Sequence, residues 1–495
     1  MNFRDLTPSS LSFRHIKEDF ASSVVVFLVA LPLCVGVAVA SGVPAELGIV
    51  TGIVGGLVTG MLPGSSLQVS GPAAGLTVLC YEAVQEHGLP ALGVIVLATG
   101  LLQLGMGALR WGRWFRAISV AVVEGMLAGI GLVLIAGQLY SMAKTKAPES
   151  GIDKITGLPE MFVDAAGSSS ARASLLLGIG TIAVLVLWKK LPKKVTTVPG
   201  ALAAVALATI VALAFDLPVA KVTVEGLFST IQPPPMDEFG GLAEVGMLST
   251  IVAFTLIASA ESLFSAAAVD RLHDGQRTDY DKELMAQGAG NTVCGVLGAL
   301  PMTAVIVRSA TNVQAGAKTK ASRVMHGGWL LLFAALLPAA LGIIPIAALA
   351  GILIHAGFKL IPLKALVELW RSHRGEAVVL VATAVSIVTI SMFEGVLIGL
   401  ALAVIKTAWE ASHIRLEIVD KGAGPVQAHL SGNATFLRLP KILDQLEALP
   451  QDRPVELHLD QVHHLDHACR TALENWAERH SDQGTEPVKV NMAGV

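Results

Sequence analysis

Long apolar stretches, separated by short polar segments, fill the chain as far as about residue 412. Several of them, including residues 21–41, 91–109, 174–188 and 378–390, contain no charged residue. A helix needs about 20 apolar residues to cross the hydrocarbon core of a bilayer, and these stretches approach that length. The pattern therefore predicts an all-α polytopic membrane protein.

The apolar pattern divides into about fourteen predicted spans, several of them short or interrupted by Gly and Pro. They lie near residues 21–41, 46–62, 67–85, 91–109, 117–142, 174–190, 198–215, 246–270, 284–300, 301–316, 327–342, 345–361, 376–391 and 393–411. Residues 1–20 mix acidic and basic side chains and show no clear signal-peptide cleavage site. We expect them to form a cytoplasmic leader or an interfacial helix.

The distribution of Lys and Arg orients the predicted spans. With the N-terminus inside, the loops after the even-numbered spans are cytoplasmic, and these loops hold most of the basic residues. Their bases are Arg110, Arg113, Arg116, Lys189, Lys190, Lys193, Lys194, Arg271, Arg277, Lys318, Lys320, Arg323, Lys364, Arg371 and Arg374. The pattern predicts an inner (plasma) membrane protein with both termini in the cytoplasm.

The composition agrees with this interpretation. Hydrophobic residues make up 53% of the chain and charged residues 15%, against roughly 25% charged residues in soluble domains. The net charge of -3 does not indicate a charged partner, and we expect no nucleic acid. Cys34, Cys80, Cys294 and Cys469 lack metal-ligand spacing, and no nucleophile–base arrangement is evident. We therefore predict no bound metal, no cofactor and no enzymatic activity.

Two predicted spans carry ionisable residues deep within apolar sequence. Glu261 lies in the span near 246–270, and Arg308 lies in the span near 301–316. Such residues are costly in a bilayer unless they meet a partner or serve a function. A structural ion pair that locks two helices fits them, and so does a site for a substrate or a coupling ion. We favour the site because both residues lie beside sequence that disrupts helices.

Two segments have the pattern of an extended stretch followed by a half-helix. Residues 67–72 favour an extended chain, and residues 73–78 begin a helix. In the second half, the β-favouring run at 303–307 precedes Arg308 and a helix-compatible run. Unwound backbone at membrane depth is tolerated only inside protein or along a cavity. One such segment in each half predicts a binding site at the bilayer midplane, between inverted repeats.

The predicted site favours an anion. The N-terminus of each half-helix offers unpaired N–H groups and about half a positive charge. Arg308 adds a full charge, and its planar donors suit carboxylate, bicarbonate or sulfate oxygens. The candidate substrate-binding residues are Ser70, Gly71, Pro72, Ala73, Ala74, Thr303, Arg308, Ser309 and Ala310.

Glu261 has the wrong sign for an anion site. Its carboxylate suits a proton carrier, a Na⁺ ligand or a partner of Arg308. Ser265 follows it at i+4, so the two oxygens share one face of a helix. We therefore predict a coupling-ion site for Na⁺ or H⁺ at Glu261 and Ser265.

At these residues the chain resembles the SulP (sulfate permease) family of anion transporters, which includes bicarbonate and dicarboxylate carriers. The resemblance runs from about residue 16 to residue 495. It rests on VALPL at 29–33, SGPAAG at 70–75, AESLFS at 260–265, QGAGN at 287–291 and RSATN at 308–312. Each motif is short, but their order and spacing together are specific.

The resemblance implies fourteen spans arranged as seven-plus-seven inverted repeats. It also implies a core domain of spans 1–4 and 8–11, a gate domain of spans 5–7 and 12–14, and an elevator-like movement of the core within a homodimer. Sodium-dependent bicarbonate carriers of the family bind Na⁺ with an acidic residue at the position of Glu261 and a hydroxyl at that of Ser265. Here the pair is Glu and Ser instead of Asp and Thr, so the choice between Na⁺ and H⁺ stays open.

From about residue 413 the sequence becomes polar and alternating. Candidate strands lie at 415–419, 426–430, 455–459 and 488–492, and candidate helices lie at 437–449 and 466–480. This pattern predicts a small cytoplasmic α/β domain. By its position and by the run at 462–468, it resembles the STAS domain that ends SulP proteins.

Three histidines in this tail invite a metal interpretation. His463, His464 and His467 lie near a strand end, and no Cys or distant His stands at ligand spacing. We therefore interpret them as part of an ordinary loop. The resemblance places the Ser or Thr that related anti-anti-sigma proteins phosphorylate near His467, so we do not expect phosphorylation there.

The chain is thus divided into a leader at 1–20, a transmembrane transport domain at 21–412 and a STAS-like domain at 413–495. We predict a secondary active transporter of a small inorganic or carboxylate anion, with bicarbonate or sulfate favoured over a dicarboxylate. Its expected partners are the anion, membrane lipid and a second copy of the chain. The alternatives are a nucleobase–cation symporter of the same architecture and an anion sensor that signals through the tail.

Overall fold

A computed structural model describes residues 15–113, 119–148, 150–188, 190–192, 195, 198–223, 226–422, 424–483 and 487–491. The chain divides into two compact units, which we call unit 1 (Met1–Gly399) and unit 2 (Leu400–Val495). Unit 1 is mainly helical, and unit 2 contains a four-stranded sheet. Each unit has its own hydrophobic core.

The first half of unit 1 contains one short strand among helices. The elements are α1 (Ile16–Ala40), α2 (Ala45–Val54), β1 (Ser70–Pro72), α3 (Thr77–His87), α4 (Leu89–Ala108), α5 (Val120–Met142), α6 (Gly151–Thr156), α7 (Leu158–Gly167), α8 (Ser169–Trp188) and α9 (Gly200–Ala214). A π-helical turn, Gly55–Thr59, continues α2.

The second half also contains one short strand. Its elements are α10 (Leu227–Thr230), α11 (Val245–Asp270), α12 (Tyr280–Val296), β2 (Met302–Ala304), α13 (Ile306–Gln314), α14 (Ala321–Leu336), α15 (Ile346–Leu360), α16 (Leu363–Ser372), α17 (Arg374–Thr389) and α18 (Met392–Ala411). Helix α18 begins in unit 1 and ends in unit 2.

Each of the predicted spans overlaps a helix. Among the described residues, 7 helices are long and apolar enough to cross a membrane, and three shorter helices are also apolar. One of the long stretches, Ile346–Ser372, is divided by the structure into α15 and α16. The other predicted spans correspond to α3, α12, α13 and α17. The count of fourteen membrane crossings therefore stays a prediction.

The end of the predicted leader is helical, since helix α1 begins at Ile16. The reason is Asp19, which is fully buried and accepts the backbone N–H groups of Lys318 and Thr319 at 2.7 and 3.0 Å. These bonds hold the first turn against the segment that follows α13. Residues 1–14 of the predicted leader lie outside the described residues. The boundary between leader and first membrane span stays a prediction.

The two predicted strand-then-helix segments are confirmed. Strands β1 and β2 pair antiparallel, with Gly71 opposite Thr303. A 3₁₀ turn, Ala74–Leu76, leads from β1 into α3, and β2 leads directly into α13. Both strands are shorter than predicted: residues 67–69 lie outside β1, and 306–307 belong to α13. Pro72 has no N–H to donate, which ends the ladder at the pair of Pro72 and Met302.

Unit 2 is the predicted α/β fold. Its strands are β3 (Ile414–Val419), β4 (Val426–Ala434), β5 (Val455–Leu465) and β6 (Lys489–Asn491), and its helices are α19 (Leu439–Glu447) and α20 (His467–Gln483). The order is β3-β4-β5-β6, antiparallel at the first pair and parallel at the other two. Val426, Leu430 and Leu457 pack with Leu473 and Trp476 in its core.

The strands of unit 2 differ from the prediction at their ends. The alternation of buried positions ends at Leu430 and Leu459, where the predicted strands end. Strand β4 continues to Ala434 and β5 continues to Leu465, because the two strands stay paired, past two register shifts, as far as Ala434 opposite Leu465. His463 and His464 therefore lie in β5, and His467 begins α20, so their assignment to a loop is wrong. The last predicted strand ends at Met492, which lies outside the described residues.

Candidate functional site

The candidate site lies where β1 and β2 meet the helices that follow them. Because the strands are antiparallel, α3 and α13 leave from opposite ends of the short ladder. Each helix begins with backbone N–H groups that have no acceptor within the helix, and these groups carry partial positive charge. The sequence folds this way because β-branched residues lead into α13 and Pro72 prevents an earlier start of α3.

Arg308 lies in the first turn of α13 and is fully buried. Its Nη2 donates to the carbonyl oxygen of Pro72 at 3.3 Å. Its Nε and Nη1 have no hydrogen-bond partner in the part of the chain that the structure describes. Nη1 occupies the space in which a Cβ on residue 71 would lie, so Gly71 is required for this position of the guanidinium.

The serine hydroxyls of the predicted site are engaged in holding its backbone. Ser309 Oγ accepts the N–H of Val69 at 2.9 Å and donates to the carbonyl of Val305 at 2.8 Å. Ser70 Oγ accepts a hydrogen bond from Gln287 Nε2 at 2.7 Å. These bonds position β1 and α13, so the backbone N–H groups are better placed than the serine hydroxyls to meet a ligand.

The other predicted residues lie in the same two strand-then-helix segments. Thr303 is fully buried opposite Gly71 in the ladder. Ala73 has extended backbone and Ala74 begins the 3₁₀ turn, both at the entry to α3. Ala310 lies in α13 and is partly exposed. The structure therefore brings all the predicted substrate-binding residues to one small sheet and the two helix starts beside it.

Glu261 and Ser265 lie one turn apart on α11, as predicted. Glu261 Oε2 and Ser265 Oγ are buried and have no hydrogen-bond partner among the described residues. The carboxylate packs against the 3₁₀ turn before α3, because a Cβ on Gly75 would lie 2.6 Å from Glu261 Oε1. The two oxygens are therefore available to a proton or a cation.

Glu261 does not form an ion pair with Arg308. Each of the ion pairs that the structure describes joins other residues. Arg308 therefore keeps an uncompensated charge beside β1 and β2. The interpretation of Glu261 and Arg308 as a lock between two helices has no support in their geometry.

Two buried amide side chains, one from α12 and one from α13, hold the extended backbone of the site, and sequence reasoning did not assign them to it. Asn291 Oδ1 accepts the N–H of Met302 at 2.7 Å, and its Nδ2 donates to the Met302 carbonyl at 3.1 Å. Asn312 Nδ2 donates to the carbonyl of Leu67 at 2.9 Å. Each amide supplies hydrogen bonds that extended backbone in a bilayer lacks. The sequence feature that could have revealed Asn291 and Asn312 is an amide side chain within an apolar span.

Arg323 was predicted to be a loop base, and this prediction is wrong. It is buried in the first turn of α14, where its three nitrogens donate to backbone carbonyls. Nε, Nη1 and Nη2 bond to Gly60, Gln68 and Leu62 at 2.9, 3.2 and 3.0 Å. The carbonyls of Gly60 and Leu62 follow the end of a helix, and that of Gln68 precedes β1, so the guanidinium satisfies backbone acceptors that no helix satisfies.

His326 is a further buried polar residue that the sequence did not reveal. Both ring nitrogens lack a hydrogen-bond partner among the described residues. It lies one helical turn before Leu330, whose Cδ1 is 2.8 Å from the Cβ position of Gly52. The Cα of Gly52 is in turn 3.7 Å from the Cβ position of Gly71, which the guanidinium of Arg308 occupies. His326 thus lies on the face of α14 that is directed towards Arg308.

The described residues contain no group of three or more His, Cys, Asp or Glu side chains that could hold a metal ion. The four cysteines are buried and unpaired. His463 and His464 lie along a strand and His467 lies at a helix start, and the expectation that they bind no metal stays a prediction.

The fold and the site together define a helical membrane transporter. Residues 16–383 match the sulfate permease family, and the chain belongs to this family. It is 27% identical over 485 residues to the putative sulfate transporter YvdB of Bacillus subtilis, covering 94% of this chain and 90% of the relative. It is 24% identical to the bicarbonate transporter BicA of a Picosynechococcus species, covering 98% and 90%. These relatives are transporters, not enzymes.

Solved structures show the same fold. The transmembrane domain of a cyanobacterial bicarbonate transporter BicA has a TM-score of 0.67 and 23% identity, covering 80% of this chain and 98% of its own. The murine SLC26A9 anion transporter, solved in an inward-facing state, has a TM-score of 0.78 and 15% identity, covering 97% and 86%. The second match includes unit 2 because it extends over nearly the whole chain.

Proposed function

We propose that the chain is a secondary active transporter of a small anion, with bicarbonate or sulfate favoured and a dicarboxylate as a further candidate. The buried guanidinium of Arg308 carries the proposal, because two of its nitrogens have no partner among the described residues. An arginine keeps its charge in proteins, and an unpaired buried charge is costly. An anion whose oxygens accept these N–H groups supplies both the missing hydrogen bonds and the missing opposite charge.

The surrounding backbone adds to this preference. The starts of α3 and α13 both adjoin the ladder that contains Ser70, Gly71 and Thr303. Their free N–H groups favour negative charge for the same reason that helix N-termini bind phosphate and sulfate. We propose that the anion contacts Arg308, the backbone N–H groups near Ala73 and Ala74, and those in the first turn of α13, one turn before Ala310. A neutral nucleobase ring gains less from this arrangement.

The relatives narrow the class of anion. YvdB is named a putative sulfate transporter and BicA a bicarbonate transporter. Both substrates present several oxygens around a compact centre, which matches the paired donors of one guanidinium. Among the described residues, the buried arginines are Arg308 and Arg323, and the nitrogens of Arg323 donate to backbone carbonyls. Arg308 is therefore the buried arginine with donors left for a substrate, and a single guanidinium suits a small anion better than a large one.

We propose that Glu261 and Ser265 form the coupling-ion site. Their unpaired oxygens lie one turn apart, and the carboxylate contacts the start of α3. Binding of Na⁺ or H⁺ there neutralises a charge of the opposite sign to Arg308, which favours joint binding with an anion. The movement that follows is proposed to be elevator-like, with spans 1–4 and 8–11 as the mobile core.

The proposed arrangement in the membrane follows the prediction from sequence. It has fourteen crossings in two inverted repeats, both termini in the cytoplasm, and a homodimer in the inner membrane. The antiparallel pairing of β1 and β2 supports inverted repeats, because it relates one strand-then-helix segment to the other by a reversal of direction.

The test is uptake by purified protein in proteoliposomes of labelled bicarbonate, sulfate, fumarate and uracil. Each substrate is measured with a Na⁺ gradient, with a pH gradient and with neither. We expect uptake of at least one anion above that of empty liposomes, and a strong dependence on one gradient. Uptake of uracil alone would support the nucleobase symporter. No uptake of any substrate by folded protein would support the sensor.

A further inference from the structure

Helix α16 is a short amphipathic helix between two longer apolar helices. It occupies Leu363–Ser372, ten residues that are too few to cross a bilayer. Ile361, immediately after α15, has extended backbone with φ −81 and ψ 111, which separates α16 from α15. None of the residues of α16, all of which are described, is buried. The helix therefore lies on the surface of unit 1.

One face of α16 exposes large apolar side chains. Leu363, Val367 and Trp370 are 65%, 53% and 52% exposed. Their i, i+4, i+7 spacing places them in a single stripe along the helix. Leu366 and Leu369, on the adjoining face, are only partly exposed. A stripe of this kind is unfavourable in water, and an indole is most stable at the boundary between headgroups and hydrocarbon.

A basic edge borders this apolar stripe. Lys364 and Arg371 are both exposed and lie two turns apart, each one residue beyond a member of the stripe. The rotation between neighbouring residues of a helix places both about 100° from the stripe. Glu368 lies on the same edge and offsets part of the charge, while exposed Arg374, at the start of α17, adds to it. The edge therefore carries net positive charge.

We infer that α16 lies in the membrane interface and binds anionic phospholipid through this edge. Its stripe enters the headgroup–acyl boundary, and Lys364 and Arg371 extend along the apolar surface to lipid phosphates. Lys and Arg near an anionic membrane surface contribute about 1 kcal/mol each. The combination of the stripe with a basic edge favours an anionic lipid over a zwitterionic one. This inference is independent of the anion site at Arg308.

The experiment measures quenching of Trp370 fluorescence by brominated lipids in full-length protein reconstituted in vesicles. Brominated phosphatidylglycerol is compared with brominated phosphatidylcholine, and the variant Trp370→Phe identifies the contribution of Trp370 to the signal. We expect stronger quenching by phosphatidylglycerol. The double variant Lys364→Gln/Arg371→Gln should lower this preference by up to about 30-fold, the equivalent of about 2 kcal/mol.

A matched control removes the same amount of charge elsewhere. Lys421 and Lys441 are exposed in unit 2, and Lys421→Gln/Lys441→Gln should retain the preference of the unmodified protein. An unchanged preference in the α16 double variant would overturn the assignment to lipid phosphates. Absence of Trp370 quenching by either lipid in the unmodified protein would show that protein, such as a second copy of the chain, covers α16. Size-exclusion chromatography confirms that each variant remains folded.

Discussion

The guanidinium of Arg308 occupies the space in which a side chain on Gly71 would lie, and it donates to the carbonyl of the next residue, Pro72, at 3.3 Å. A residue of α13 therefore packs against the strand that precedes α3. The two half-helices are joined at this point by one side chain as well as by the ladder between β1 and β2.

Gly71→Ala should therefore impair transport by displacing Arg308. The added methyl group collides with Nη1, and the guanidinium must move away from Pro72. We expect the KM for the transported anion to rise at least about tenfold, since a hydrogen bond to a charged group contributes about 1.5–3 kcal/mol. Gly105→Ala is the control, because its Cβ meets nothing within 4 Å in the described part of the chain. Equal KM values in the two variants would contradict the account.

His326 offers a second test of the surroundings of Arg308. We expect His326→Leu to raise the KM several-fold with little change in maximal rate, because the leucine removes polar atoms from the face of α14 directed towards Arg308. His326→Gln should restore most of the affinity, since an amide keeps a donor and an acceptor. If His326 only fills space, the leucine variant should behave like the unmodified protein and the glutamine variant should be the weaker one.

Glu261→Gln tests the proposed coupling-ion site. The amide keeps the shape of the side chain but neither ionises nor attracts a cation strongly. We expect anion uptake to lose its dependence on the Na⁺ or pH gradient, or to stop. Glu86→Gln is a matched control on an exposed side chain of unit 1. Unchanged ion dependence in Glu261→Gln would remove this residue from the coupling mechanism.

Unit 2 has its own pH-sensitive contact at the start of α20. Burial alone would raise the pKa of Asp466, but the N–H groups of Cys469 and Phe436 donate to its carboxylate at 2.7 and 2.6 Å and hold the pKa below its usual value. A lowered pKa in the folded state adds stability above the pKa of the unfolded chain. That stability is lost as the pH falls through the folded pKa.

The corresponding measurement is hydrogen–deuterium exchange of α20 in the full-length protein. At neutral pH, Asp466→Ala should speed exchange in the first turns roughly fivefold, since an N-cap contributes about 1 kcal/mol. The difference from the unmodified protein should shrink at acidic pH, where the carboxylate is protonated. Asp460→Ala, at an exposed position of β5, serves as the control. A difference that does not vary with pH would show that the charge of Asp466 is not involved.

The sequence was sufficient for the elements on which the proposed site is built. Each apolar stretch that predicted a membrane span proved to overlap a helix of unit 1. Pro72 and the β-branched run before Arg308 predicted the positions of the two strands. Alternation of polar and apolar residues located the strands of unit 2. These features depend on neighbours in the sequence, so periodicity and composition reveal them.

Other features depend on partners that are distant in the sequence. Arg323 resembles its neighbours Lys318 and Lys320, and only the carbonyls of Gly60, Leu62 and Gln68 explain its burial. In the sequence, His326 is a single histidine within an apolar run. Only the close packing of α14 against Gly52, and of Gly52 against Gly71, shows that its helix face is directed towards Arg308. No local pattern contains this information, because tertiary packing produces it.

The most direct test of the central claim is uptake of labelled bicarbonate and sulfate by Arg308→Ala in proteoliposomes, beside Arg415→Ala at an exposed position of unit 2. Removing the guanidinium deletes the only full positive charge proposed to contact the anion. The account predicts that Arg308→Ala loses uptake while it still purifies as folded protein, and that Arg415→Ala transports normally. Near-normal uptake by Arg308→Ala would contradict the account.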